Sequence, residues 1–107
     1  MANVIVSRHA GLLEWLSRNG VTGKVITGNA TVSDVKGNDV YGILPLWLAA
    51  EANSVTEVSM PDLPFEMRGK EYTPEQMDEW GAHMVRHVVF NRDDVGKGEF
   101  GQPVKRK

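Results

Sequence analysis

The sequence predicts a mixed α/β domain, a mostly parallel sheet of about four strands with helices on both faces. Three observations lead there. Short β-branched apolar runs alternate with segments of helical periodicity, and residues that start or stop helices fall between them. Hydrophobic residues make up 41% of the 107, enough for one core and too many for a disordered chain.

The elements follow in order. Asn3-Val4-Ile5-Val6 reads as a buried first strand. From Gly11 to Asn19, Leu12, Leu13 and Leu16 share one face while Glu14, Ser17 and Arg18 lie elsewhere, which predicts an amphipathic helix. Asn19-Gly20 is its stop signal. Lys24 to Thr27 is a second strand, and the polar stretch from Gly28 to Asn38, with two glycines, is a loop. Asp39 to Leu44 is a third strand, and Pro45 suits the first turn of a helix from Leu46 to Asn53, apolar almost all round and so packed on the sheet. Thr56 to Met60 is a fourth strand, and Pro61 to Tyr72 is a loop. Thr73 with Gln76 has capping-box spacing, and Pro74 fits the first helical position. Met77, Trp80, Met84 and Val88 then continue at helical spacing, a core stripe on one last helix. Residues 1–90 form a single α/β domain; 91–107, rich in charge, glycine and lysine, read as a flexible tail.

Composition narrows the function classes. With no cysteine there is neither a disulfide framework nor a thiolate nucleophile. The N-terminal run is neither a signal peptide nor a membrane span, so a soluble, cytoplasmic protein is expected. The net charge of -2 argues against coating duplex nucleic acid, yet leaves room for an anion in a local basic pocket.

In open parallel sheets, ligands bind beyond the carboxyl ends of strands. Three segments meet that condition: Ser7 to Gly11, Leu44-Pro45, and Met60 to Tyr72. The first is the richest. Arg8 can grip a phosphate bidentately, His9 can move a proton near neutral pH, and Ser7 can donate a hydrogen bond. Gly11 lets a ligand or a neighbouring backbone come close. The plainer alternative is a polar turn, with Arg8 on a surface carboxylate and His9 capping the helix. Arg68-Gly69-Lys70 is a second basic element, able to close over an anion or to stand as a solvated turn. Trp47 can stack on a base, although core packing is the commoner fate of such a residue. Glu79, His83 and His87 would share a helix face, but no acidic loop completes a zinc site, so no metal or cofactor is expected.

Val6-Ser7-Arg8-His9-Ala10-Gly11-Leu12-Leu13-Glu14-Trp15 resembles the opening motif of a small family of CRISPR-associated accessory proteins of type III systems. The resemblance continues at Gly42-Ile43-Leu44-Pro45-Leu46-Trp47-Leu48-Ala49-Ala50-Glu51 and at Asp62-Leu63-Pro64-Phe65-Glu66-Met67-Arg68-Gly69-Lys70-Glu71. Trp47 replaces a smaller polar residue of that pattern. The resemblance implies a Rossmann-like (CARF-like) homodimer acting as a ring nuclease. Its substrate would be cyclic oligoadenylate, cyclic tetra-adenylate first, linearised to switch off signalling. A ribose 2′-hydroxyl would attack the adjacent phosphorus without a metal. Ser7, Arg8 and His9 would then be catalytic, with Gly11, Leu44, Pro45, Arg68 and Gly69 binding substrate. Two alternatives use the same turn: a protein that sequesters the messenger uncut, and a phosphohistidine-type phosphatase in which His9 is the nucleophile.

Overall fold

The computed structural model describes residues 2–97 and 103–105. Its main sheet has five strands in the order β2-β1-β3-β4-β5, one more than the sequence suggests. β1 (Asn3–Val6), β2 (Lys24–Ile26), β3 (Asp39–Gly42) and β4 (Ser54–Ser59) run parallel. β5 (His83–His87) returns antiparallel along β4. Four short helices connect them: α1 (Ala10–Arg18), α2 (Val32–Val35), α3 (Leu46–Ala49) and α4 (Pro74–Glu79).

Strand alternation divides the core in two. Val4, Val40 and Val55 face Val35 of α2 and Leu48 and Ala49 of α3. Ile5 and Tyr41 face the other way, onto Trp15 and Leu16 of α1 and Met77 of α4. Helices therefore cover both faces, as expected. The Trp15 indole N–H donates to Asp78 at 2.7 Å, and Arg18 pairs with Glu75, so α4 is clasped to α1.

The largest departure from the sequence reading is the last element. Thr73 caps α4 as its spacing predicts, accepting from the Gln76 N–H at 3.2 Å while the Gln76 side chain accepts from the Thr73 N–H at 2.9 Å. The helix then ends at Gly81, whose φ of +77° suits glycine. The Ala82 N–H reaches back to the Met77 carbonyl at 3.0 Å and the Gly81 N–H to Asp78 at 3.1 Å, a Schellman closure. Met77 and Trp80 are buried as core, whereas Met84 and Val88 are exposed on and beyond β5. His83 and His87 thus sit on a strand, about 13 Å apart at 3.3 Å per residue, too far to share a zinc ion. His87 instead meets Glu57 across the strands at 3.0 Å.

Three smaller corrections concern the connections. The 28–38 loop contains α2, announced by Thr31 and Asp34, whose carboxylate accepts from the Thr31 N–H at 2.8 Å. The helix expected from Leu46 to Asn53 stops at Ala49, because Ala52 is drawn into a bridge with Lys36. Pro45 is its N-cap, immediately before the helix starts at Leu46 as expected, but Leu46 and Trp47 turn outward instead of packing on the sheet. Within 91–107, Arg92–Asp94 form a 3-10 turn and β6 (Val95–Lys97) pairs with β7 (Pro103–Lys105). The remainder of the expected tail lies outside the described residues. No described helix is long and apolar enough to cross a membrane.

Candidate functional site: the crevice between the first and third strands

From β1 the chain steps outward through α1 to β2, then crosses back over β1 through α2 to β3. The direction of winding therefore reverses between β1 and β3, and their carboxyl ends border the place where such sheets bind ligands. Gly42 ends β3 with φ +139°, and a Cβ there would lie 2.3 Å from the Val6 carbonyl oxygen. The strands stay close up to that point and the chain diverges beyond it.

A cleft of about 530 Å³ opens there, on the α2/α3 side. Ser7 and Arg8 line it from β1, Gly28 and Asn29 from the end of β2, and Leu44, Pro45 and Trp47 from the end of β3. Arg8 is its one charged side chain among the described residues. The Arg8 Nε–H donates to the Thr27 carbonyl, which lays the guanidinium along the end of β2. No carboxylate among the described residues pairs with it. Its two terminal amino groups remain for an anion, rather than being spent on a surface acid. Trp47 is 66% exposed on the opposite wall, a π-face open to solvent where core packing was expected.

His9 does something else. Its Nδ1 accepts from the Leu12 N–H at 3.2 Å, capping α1. A backbone N–H can only donate, so the neutral ring carries its proton on Nε2. That nitrogen faces the Lys70 carbonyl and the Glu71 carboxylate, each at 3.4 Å. The ring also lies 4.1 Å from the Tyr72 ring, and His9 lines neither this cleft nor the one beside it. Ser7 Oγ accepts from the His9 N–H at 3.1 Å, which leaves its own hydroxyl proton to donate.

Gly11 serves a neighbouring backbone: a Cβ there would fall 2.0 Å from the Tyr72 carbonyl oxygen. The start of α1 borders a shallow depression shared with Glu14 and Glu71, whose charges disfavour an anion. Arg68 and Gly69 follow the 3-10 turn Phe65–Met67, are exposed, and line none of these openings. The structure thus gathers Ser7, Arg8, Leu44 and Pro45 and leaves Gly11, Arg68 and Gly69 apart from them. Sequence reasoning missed Gly28 and Asn29. The signal was available, since a parallel β2 beside β1 must end on the same edge.

A second cleft, of about 340 Å³, adjoins the first on the α1/α4 side and shares Val6, Ser7 and Ile43 with it. Tyr72 lines it, and burial, aided by the Glu71 charge, pushes the Tyr72 phenol above its usual range. Among the described residues no group of three or more His, Cys, Asp or Glu is placed to hold a metal ion.

No curated protein and no solved structure matches the chain. Residues 4–90 match the family model described as "Putative CRISPR-associated protein (Cas_VVA1548)". That match runs from the second residue of β1 to beyond β5 and includes every residue of the crevice, and the chain belongs to this family of CRISPR-associated proteins.

Proposed function

We propose that this protein is a ring nuclease that binds cyclic oligoadenylate, cyclic tetra-adenylate first, and opens it to end type III CRISPR signalling. One observation carries the reading. An unpaired guanidinium, Arg8, and an exposed indole, Trp47, line a single cleft at the point where the winding of the sheet reverses. A nucleotide needs both: a cation for its phosphate and a flat apolar face for its base. Membership of a CRISPR-associated family gives such a ligand its setting.

The chemistry asks little of the protein. The ribose 2′-oxygen bonds to the adjacent phosphorus, the bond from phosphorus to the 5′-oxygen breaks, and a 2′,3′-cyclic phosphate and a 5′-hydroxyl result. The substrate brings its own nucleophile, so no metal-bound water is required. Arg8 neutralises the phosphorane oxygens and the Ser7 hydroxyl donates to one of them, while Trp47 holds a base in place. His9 keeps the turn in shape, the 2′-hydroxyl proton leaves to solvent, and the departing 5′-oxygen takes a proton from solvent in return. The exposed Ile43, Leu46 and Phe65 suit a second copy of the chain, and a two-fold dimer would offer each half of a symmetric ring the same crevice. This is a Rossmann-like, cytoplasmic signalling enzyme in style.

Product analysis tests the proposal. Incubation with cyclic tri-, tetra- and hexa-adenylate in EDTA is expected to linearise the tetramer. Arg8→Ala is expected to slow the reaction roughly ten- to a hundredfold, the worth of a charge-assisted hydrogen bond. Absence of linear product at every pH would sink ring opening. A second reading, sequestration without cleavage, draws on the engagement of both His9 nitrogens away from the cleft. Stoichiometric uptake with no turnover selects it. The same engagement tells against His9 as a phosphorylated nucleophile.

A further inference from the structure

The second cleft has no role in the scheme above, yet it opens from the same place. Its walls are Leu12, Val58, Met60 and Tyr72, with the fully buried Leu16 behind them. No charged side chain lines it, so a phosphate gains nothing there. An aromatic ring and a thioether do suit a flat π-system. It is also the more enclosed of the two clefts.

Its relation to the first cleft identifies the occupant. Val6, Ser7 and Ile43 are common walls, and the Ile43 side chain, 82% exposed, stands at the divide. The Ser7 hydroxyl, with a proton to donate, lies on that divide, and Arg8 lies beside it. A ligand placing phosphate at Ser7 and Arg8 would direct one attached group into each cleft. Single-stranded nucleic acids are commonly held this way, with neighbouring bases unstacked and splayed onto separate apolar surfaces.

We infer that the second cleft is a subsite for a neutral, planar nucleobase, so that one protomer takes two consecutive nucleotides astride the Ser7–Ile43 divide. The inference rests on the reading of the first cleft as a nucleotide site. It assigns Met60 and Tyr72 to the second base and Trp47 to the first. The unit recognised is then a dinucleotide.

The experiment uses wild-type protein labelled at the methionine methyls and the tryptophan indoles, titrated with AMP or with the dinucleotide ApA. ApA is expected to move both the Trp47 indole and the Met60 methyl signals and to bind about tenfold or more tighter than AMP, the worth of one stacked base. AMP is expected to move Trp47 alone. Met60→Trp, which fills the second cleft, is expected to bring ApA down to the affinity of AMP. If ApA moves only Trp47 and binds no better than AMP, the second subsite is wrong while the nucleotide reading stands. If neither ligand moves either signal, both fall. A Met60 methyl that responds to protein concentration and not to ApA gives the cleft to a neighbouring copy and overturns the inference.

Discussion

Two turns border the crevice, and each uses its side chains against expectation. The turn from β1 into α1 is polar throughout, yet much of its polar capacity is spent inside the protein. Ser7 accepts from the His9 N–H, His9 accepts from Leu12, and Arg8 Nε donates to Thr27. What remains outward is the end of one guanidinium and one hydroxyl proton. The turn from β3 into α3, Ile43 to Trp47, is apolar throughout and stays in water: Ile43, Leu46 and Trp47 are 82%, 76% and 66% exposed. Holding such surface open forgoes about 25 cal/mol for each Å² left in water, a cost that a ligand or partner surface would remove. Residue type alone would have assigned chemistry to the first turn and packing to the second. Their hydrogen bonds and exposure show a first turn held largely by internal partners and a second left largely in water.

Substitutions can break or sharpen this contrast, and the largest effect should fall on the first turn. Gly11→Ala drives a methyl group into the Tyr72 carbonyl, so α1 or the 61–72 loop must shift. Overpacking of this kind is expected to cost about 1–3 kcal/mol, seen as a lower urea midpoint at unchanged slope. A midpoint equal to that of wild type would mean the two segments do not meet as described. Next comes His9. His9→Ala is expected to lose about 1 kcal/mol with the cap, and His9→Asn to recover most of it, since asparagine also caps. In a ring-opening assay His9→Asn should stay active; if it is as inactive as His9→Ala, the imidazole itself does chemistry. The smallest effect on folding should come from the second turn. Trp47→Ala is expected to stay within about 0.5 kcal/mol of wild type in stability while nucleotide affinity falls. A steep loss of thermal stability would make Trp47 a packing residue after all.

Much of the scaffold was legible because local chemistry and tertiary packing agree there. The run from Asn3 to Val6 is a strand, and Asn19-Gly20 ends α1, with the Val21 N–H closing on the Leu16 carbonyl at 2.9 Å. The same device ends α4 at Gly81, and it went unread because Met84 and Val88 carried the helical spacing past the stop. Periodicity over four positions is a weaker signal than a glycine that can adopt positive φ. The site was legible in part. Arg8, Ser7, Leu44 and Pro45 follow from strand ends, a rule of topology. Sequence could not show which hydrogen bonds already occupy His9, nor that the short α3 leaves Trp47 outside. Both depend on how far a neighbouring loop reaches.

The antiparallel return of β5 has a consequence for how this fold can vary. β4 ends and β5 begins on the same edge of the sheet, with Ser59 opposite His83. The connection between them never has to travel the length of the sheet, as a parallel crossover does. The loop from Pro61 to Tyr72 and α4 together form an insert hinged at one margin, anchored where the Asp62 N–H meets the Trp80 carbonyl at 3.1 Å. Residues can be gained or lost between Pro64 and Gly69 without moving the register of any strand. The segment between Pro64 and Gly69 is therefore free to diversify while the strand ends that form the crevice stay fixed, which confines changes of length to one margin of a small scaffold.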